Sequence, residues 1–126
     1  MVRYFYSAKH ETLIAKYMEK LTVDDIRAVY HELHTLALKF NHKIHLVEDY
    51  SYVNEISSLI TVEYADLNQK FGSFLGRNYL LGFHTLIEAY YQIFKAYIKE
   101  EVTSEVLEIS LDEYCQKNNI QYPTSF

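Results

Sequence analysis

Apolar residues recur at spacings of three and four along most of this chain, a period that predicts helices. Residues 8 to 20, with Leu13, Ile14 and Tyr17 ahead of Leu21, read as a short first helix. Thr22-Val-Asp-Asp reads as the next helix start, with Thr22 capping the free N–H groups and Asp24 and Asp25 complementing the helix dipole. Ile26, Val29, Tyr30, Leu33, Ala37, Phe40, Ile44 and Val47 continue that stripe to a break at Glu48-Asp49-Tyr50-Ser51. Ser51 then caps a third stripe of Val53, Ile56, Ile60, Tyr64, Leu67 and Phe71, ended by Gly72 with Lys70 in the last turn.

Residues 74 to 100 are apolar on most sides, through Leu80, Leu81, Phe83, Leu86, Ile87, Tyr90, Ile93, Phe94 and Tyr97. That pattern predicts the central helix of a bundle. Thr103 or Ser104 caps a fifth helix carrying Val106, Leu107, Leu111 and Tyr114. The fold expected is all-α: a single-domain antiparallel bundle of four to five helices over residues 1–126, with 117–126 a loosely packed C-terminal tail. Its core would join Phe40, Ile44, Ile60, Leu67, Phe83, Ile87 and Phe94.

Composition supports this picture. The 126 residues are 49% hydrophobic and 23% charged, a globular balance for one domain. Three glycines and one proline are few for the turns of an all-β fold. The single cysteine, Cys115, excludes an intrachain disulfide and suits a reducing, cytoplasmic setting. Lys9 and His10 interrupt any early apolar run, so no signal peptide is expected. His84 and Glu88 interrupt the most apolar stretch, 78 to 94, so no membrane span is expected either.

Histidine is the first candidate for chemistry. On one helix, His31, His34, His42 and His45 would share a side, in two pairs spaced i, i+3. Each pair offers only two ligands and the pairs lie too far apart to share an ion, so neither a metal site nor a cofactor is expected. The second candidate is Arg77-Asn78 followed by His84. This resembles the motif of HEPN-type ribonucleases, which lies on a helical bundle. The resemblance covers eight residues. It implies His84 as general acid or base, Arg77 as the phosphate-facing cation, and a homodimer whose subunits meet at the site. Read without it, Arg77, His84, Glu88, Gln92, Lys95 and Lys99 form the solvated stripe of the fourth helix, the preferred reading, and no catalytic constellation is assigned.

Charge changes the picture most. Residues 1–47 carry seven Lys/Arg and five Asp/Glu, whereas residues 48–126 carry five and twelve. This acidity makes nucleic acid an unexpected ligand and a basic protein the expected partner. Glu48, Asp49, Glu55, Glu63, Asp66, Glu101, Glu105, Glu108 and Asp112 are the candidate partner-binding residues. The thirteen tyrosines serve either an interface or a core. The function expected is a small acidic helical inhibitor of a basic partner, of immunity-protein or antitoxin type, facing for example a nuclease toxin. The alternatives are the HEPN-like ribonuclease and a structural or assembly subunit of a phage or mobile element.

Overall fold

The computed structural model describes residues 1–98, 104–123 and 126. Among these the chain is not a helical bundle. It forms strands β1 (Val2–Ser7), β2 (Thr12–Leu21), β3 (Ile44–Ile56), β4 (Leu75–Leu81) and β5 (Ser104–Val106). Helices α1 (Val23–Phe40), α2 (Ile60–Phe71), α3 (Thr85–Tyr97) and α4 (Leu111–Lys117) alternate with them. The strands lie in the order β1-β2-β3-β4-β5, with β1 antiparallel to β2 and every other pairing parallel.

Topology explains why the all-α expectation fails. Parallel neighbours are joined by crossover helices instead of tight turns, so this sheet needs few glycines or prolines. Its central strands are also covered on both faces and lose the apolar/polar alternation that marks a half-exposed strand. In β2, Leu13, Ile14, Ala15 and Tyr17 are all fully buried. Leu13, Ala15 and Tyr17 join the main core beneath α1, α2 and α3, while Ile14 points to a second cluster beneath α4. In β3, Leu46 and Tyr50 face the main core and Val47 the second cluster, the same pleat. A run apolar at successive positions matches a three-four stripe as well as a strand, and length alone did not separate the two.

The predicted helix starts and stops survive where helices exist. Thr22 Oγ1 accepts the Asp25 N–H at 3.2 Å, and the Asp25 carboxylate accepts the Thr22 N–H at 3.1 Å, a reciprocal cap that opens α1. Asn41, in left-handed geometry at φ 56°, closes α1 before Ile44. Gly72 ends α2. Ser51 caps nothing, because it lies inside β3. Ser104 opens β5, and Thr103 lies outside the described residues. Ser110 caps the last helix instead, accepting the Glu113 N–H at 3.1 Å.

Successive crossovers β2-α1-β3, β3-α2-β4 and β4-α3-β5 all step in one direction across the sheet. With the usual right-handed crossover, all three helices fall on one face. The other face receives α4 and the end of the chain. There Leu111, Tyr114, Cys115 and Ile120 are buried over Ile14, Val47 and Leu81, and the Phe126 ring packs on Phe5 with centroids 4.9 Å apart. Of the expected core, Ile44, Ile60, Leu67 and Ile87 are buried, Phe83 and Phe94 are half-buried, and Phe40 is exposed at the end of α1. No described helix is long and apolar enough to cross a membrane.

Where β4 turns into α3, Gly82 adopts φ +74°. A Cβ there would lie 2.7 Å from Asp49 Oδ1 and closer still to Ser51. Both the left-handed backbone and the close approach of β3 therefore demand glycine. Gly82→Ala should destabilise the protein by about 3 kcal/mol, read as a lower urea midpoint with an unchanged denaturant slope. A wild-type midpoint would show that the turn relaxes freely.

Candidate functional site

The most unusual group in the molecule is a carboxylate in the middle of the central strand. Glu48 is 1% exposed on β3, on the face toward α1, α2 and α3. Three donors from three other elements converge on it. The Tyr17 hydroxyl of β2 donates to Oε1 at 2.8 Å, and the Tyr64 hydroxyl of α2 donates to the same oxygen at 3.2 Å. The Asn78 amide of β4 donates to Oε2 at 3.2 Å and also to the Leu46 carbonyl at 3.1 Å. The Tyr50 and Tyr64 hydroxyls meet at 2.5 Å, and the Tyr50 ring stacks on Tyr17 with centroids 5.1 Å apart.

Burial holds the Glu48 carboxyl above its usual range, against the opposing pull of the hydrogen bonds from Tyr17, Asn78 and Tyr64. Burial, then the Glu48 charge, raises the phenols of Tyr17, Tyr30, Tyr50 and Tyr64 well above theirs. A perturbed acid with convergent polar partners beside a cleft is the pattern of a ligand or catalytic site.

The cleft is present. Between α2, α3 and the sheet lies a cavity of about 600 Å³, within the range of small-molecule sites. Tyr50, Tyr64 and Asn78 form its floor over Glu48, and Phe83, Tyr91 and Phe94 stand in its wall. The rings interlock edge to face: Tyr50 with Phe83 at 5.9 Å, Phe83 with Tyr91 at 5.2 Å and Tyr64 with Phe94 at 6.1 Å. Among the described residues every buried side-chain nitrogen and oxygen has a hydrogen-bond partner, so the site is organised without a ligand.

Solved structures share this architecture. The anti-sigma factor antagonist SpoIIAA in its unphosphorylated form superposes with a TM-score of 0.66 at 9% identity, over 94% of this chain and 98% of that one. The fold is SpoIIAA-like. The Bacillus SpoIIAA in its phosphorylated form matches with a TM-score of 0.62 at 9% identity, over 94% and 99% of the two chains. A DUF3478-family protein from Shewanella loihica PV-4, itself described as having a SpoIIAA-like fold, matches with a TM-score of 0.59 at 18% identity, over 92% and 91%. No protein-family model matches the sequence, and no curated protein does.

A SpoIIAA-like sheet overturns the functional readings framed on an all-α bundle: the acidic helical inhibitor, the HEPN-like ribonuclease and the phage or mobile-element subunit. Arg77 and His84 do not share a helix. Arg77 is exposed near the start of β4, its guanidinium 3.4 Å from the Tyr79 hydroxyl, and His84 lies beyond the far end of that strand as the cap of α3. The histidine column is likewise broken at Asn41. His34 packs on the Phe71 and Phe74 rings, at 5.1 and 4.7 Å, and His31 stands beside Phe71. His45 faces β4 and accepts the Arg77 N–H at 2.9 Å, and His42 lies 3.7 Å from Glu11.

The acidic candidates scatter as well. Glu48 and Asp49 are buried, not displayed, because the segment read as a break is the middle of β3. Asp49 accepts the N–H and hydroxyl of Ser51, at 3.1 and 2.6 Å. Glu63 is held by Arg27 at 2.6 Å, and Glu55 lies 3.9 Å from Lys20. Asp66 borders the cavity, Glu105 and Glu108 are exposed around β5, and Asp112 lies on α4 across the sheet, bonded by the Tyr122 hydroxyl. Glu101 lies outside the described residues. Glu48 was among the candidate partner-binding acids, but its burial and its tyrosine partners were not foreseen. An acid flanked by Leu46, Val47 and Tyr50 was the available signal.

The buried network makes alkaline stability steep. Each of the four enclosed phenols keeps its proton in the native state above pH 10, where the unfolded chain releases it. The native state then binds more protons, and stability falls as pH rises. Glu48 acts with the same sign from about pH 4.5 upward. Tyrosinate absorbance should therefore show an exposed population ionising first and the buried set ionising together with loss of circular dichroism. Smooth ionisation of all tyrosines in a still-folded protein would refute the enclosure.

Proposed function

We propose that this protein is a binding module that takes a small, largely apolar molecule into the cavity between α2, α3 and the sheet. The observation that carries this reading is an aromatic-walled cleft of about 600 Å³ whose polar floor is tied to one buried acid. An apolar ligand gains from leaving water for such a lining, and the few oriented polar atoms give it a direction.

The neutral fluorescent probe N-phenylnaphthylamine tests the reading. It should bind in one equivalent, and Ala65→Phe, which adds bulk at a residue lining the cavity, should weaken it at least tenfold while leaving circular dichroism unchanged. Absence of saturable binding, or indifference to Ala65→Phe, would remove the cavity as the site.

One feature supports a second, regulatory reading alongside the fold shared with an anti-sigma factor antagonist known in phosphorylated and unphosphorylated forms. Ser57 and the exposed Ser58 sit in the turn between β3 and α2. A phosphate there would lie by the N-terminus of the twelve-residue α2, where helix N–H groups favour an anion. Peptide mapping of the protein from its native host should then find phosphate on one of these serines. Phosphate only elsewhere, or none across growth conditions, would end this reading.

A further inference from the structure

If the cavity is a ligand site, the direction of the hydrogen bonds at its floor narrows the ligand's chemistry. Tyr64 has one hydroxyl proton, and with Glu48 ionised that proton goes to Oε1 at 3.2 Å. In the Tyr50–Tyr64 hydroxyl pair at 2.5 Å, Tyr50 must then be the donor. Asn78 commits both amide protons, to the Leu46 carbonyl and to Glu48. The donors beside the acid are all turned inward. What Tyr50 and Asn78 retain toward a ligand is lone pairs, on Oη and Oδ1.

The rest of the lining points the same way. Among the described residues lining the cavity there is no lysine, arginine or histidine, and the one formally charged side chain is Asp66. The faces of Tyr50, Tyr64, Phe83, Tyr91 and Phe94 carry the negative side of the aromatic quadrupole. Tyr91 already attracts a cation, with Lys95 Nζ 5.0 Å from its ring centroid. An anionic head would meet acceptors, ring faces and carboxylates with no counter-charge, which is a costly burial. A neutral head lacking a donor would leave the lone pairs unpaired.

We infer that the cavity is built for a protonated amine on an apolar body, its ammonium hydrogen-bonded by Tyr50 and Asn78 above Glu48 and its body against the aromatic wall. This rests on the ligand-site reading above and assigns that ligand its class. Glu48 then serves as a counter-ion set one layer behind the contact atoms. Its two oxygens meet donors from Tyr17, Tyr64 and Asn78 and, among the described residues, no cationic side chain.

Calorimetry on the intact chain at neutral pH, with decylammonium, decanol and decanoate, decides the matter. These three share one apolar body and differ in the head. Decylammonium should bind at least tenfold more tightly than decanol, and decanoate should bind more weakly than either. Glu48→Gln should abolish the preference for decylammonium over decanol, and Tyr50→Phe, which keeps the ring and removes an acceptor, should reduce it severalfold. Decanol or decanoate binding as tightly as decylammonium would overturn the ammonium assignment and leave the apolar site standing. A folded Glu48→Gln variant with the full preference would overturn it too. Failure of all three, together with failure of the naphthylamine probe, would bring down the site itself.

Discussion

Burying one carboxylate in the middle of a five-stranded sheet organises the rest of this molecule. An ionised acid taken out of water is tolerated only when its oxygens are met by donors. Glu48 finds them on β2, on β4 and on α2, through Tyr17, Asn78 and Tyr64. A single side chain thus ties its own strand to both neighbouring strands and to the helix packed above. Removing any donor would leave part of a buried charge uncompensated, which costs more than the lost bond is worth in isolation.

Topology sets where that acid can matter. Because the crossovers progress in one direction, α1, α2 and α3 share a face, and the sheet beneath them must fill a wide layer. Large rings span it more readily than aliphatic side chains. Packed edge to face, they leave the opening between α2 and α3 directly above Tyr50, Tyr64 and Asn78. The opposite face has the seven-residue α4 and the residues around Phe126 as cover. Cys115 is buried there, its thiol pushed up to about 11 by burial and then by Asp112, a structural group and not a nucleophile.

Local chemistry was legible in the sequence where it is local in the structure. The Thr22 cap, the α1 stripe from Ile26 to Ala37 and the stop at Gly72 all read correctly, because a cap or a helical face is decided within a few residues. Ile44 to Val47 did not, because what makes that segment a strand is the company of β2 and β4, distant in sequence. Asn41 was the missed sign: an asparagine in left-handed geometry that closes α1 and separates one apolar run from the next. Glu48 was read as a break for a related reason. An acid in an apolar run resembles a turn until partners from other elements are known to reach it, and two of its three donors are tyrosines that composition assigns equally well to a core or an interface.

The shared acid also constrains how this protein can change over generations. Tyr17, Tyr64 and Asn78 each answer to the same two oxygens, so replacing one of them alone strands a buried charge. The least hazardous first step is at Glu48 itself, to glutamine, which removes the charge while keeping the shape. After that step the loss of one partner leaves an unpaired amide and no longer a stranded charge, so the three are less strictly bound to one another. Lineages carrying this scaffold should therefore fall into two groups, one holding the acid with its donors as a set and one holding none of them.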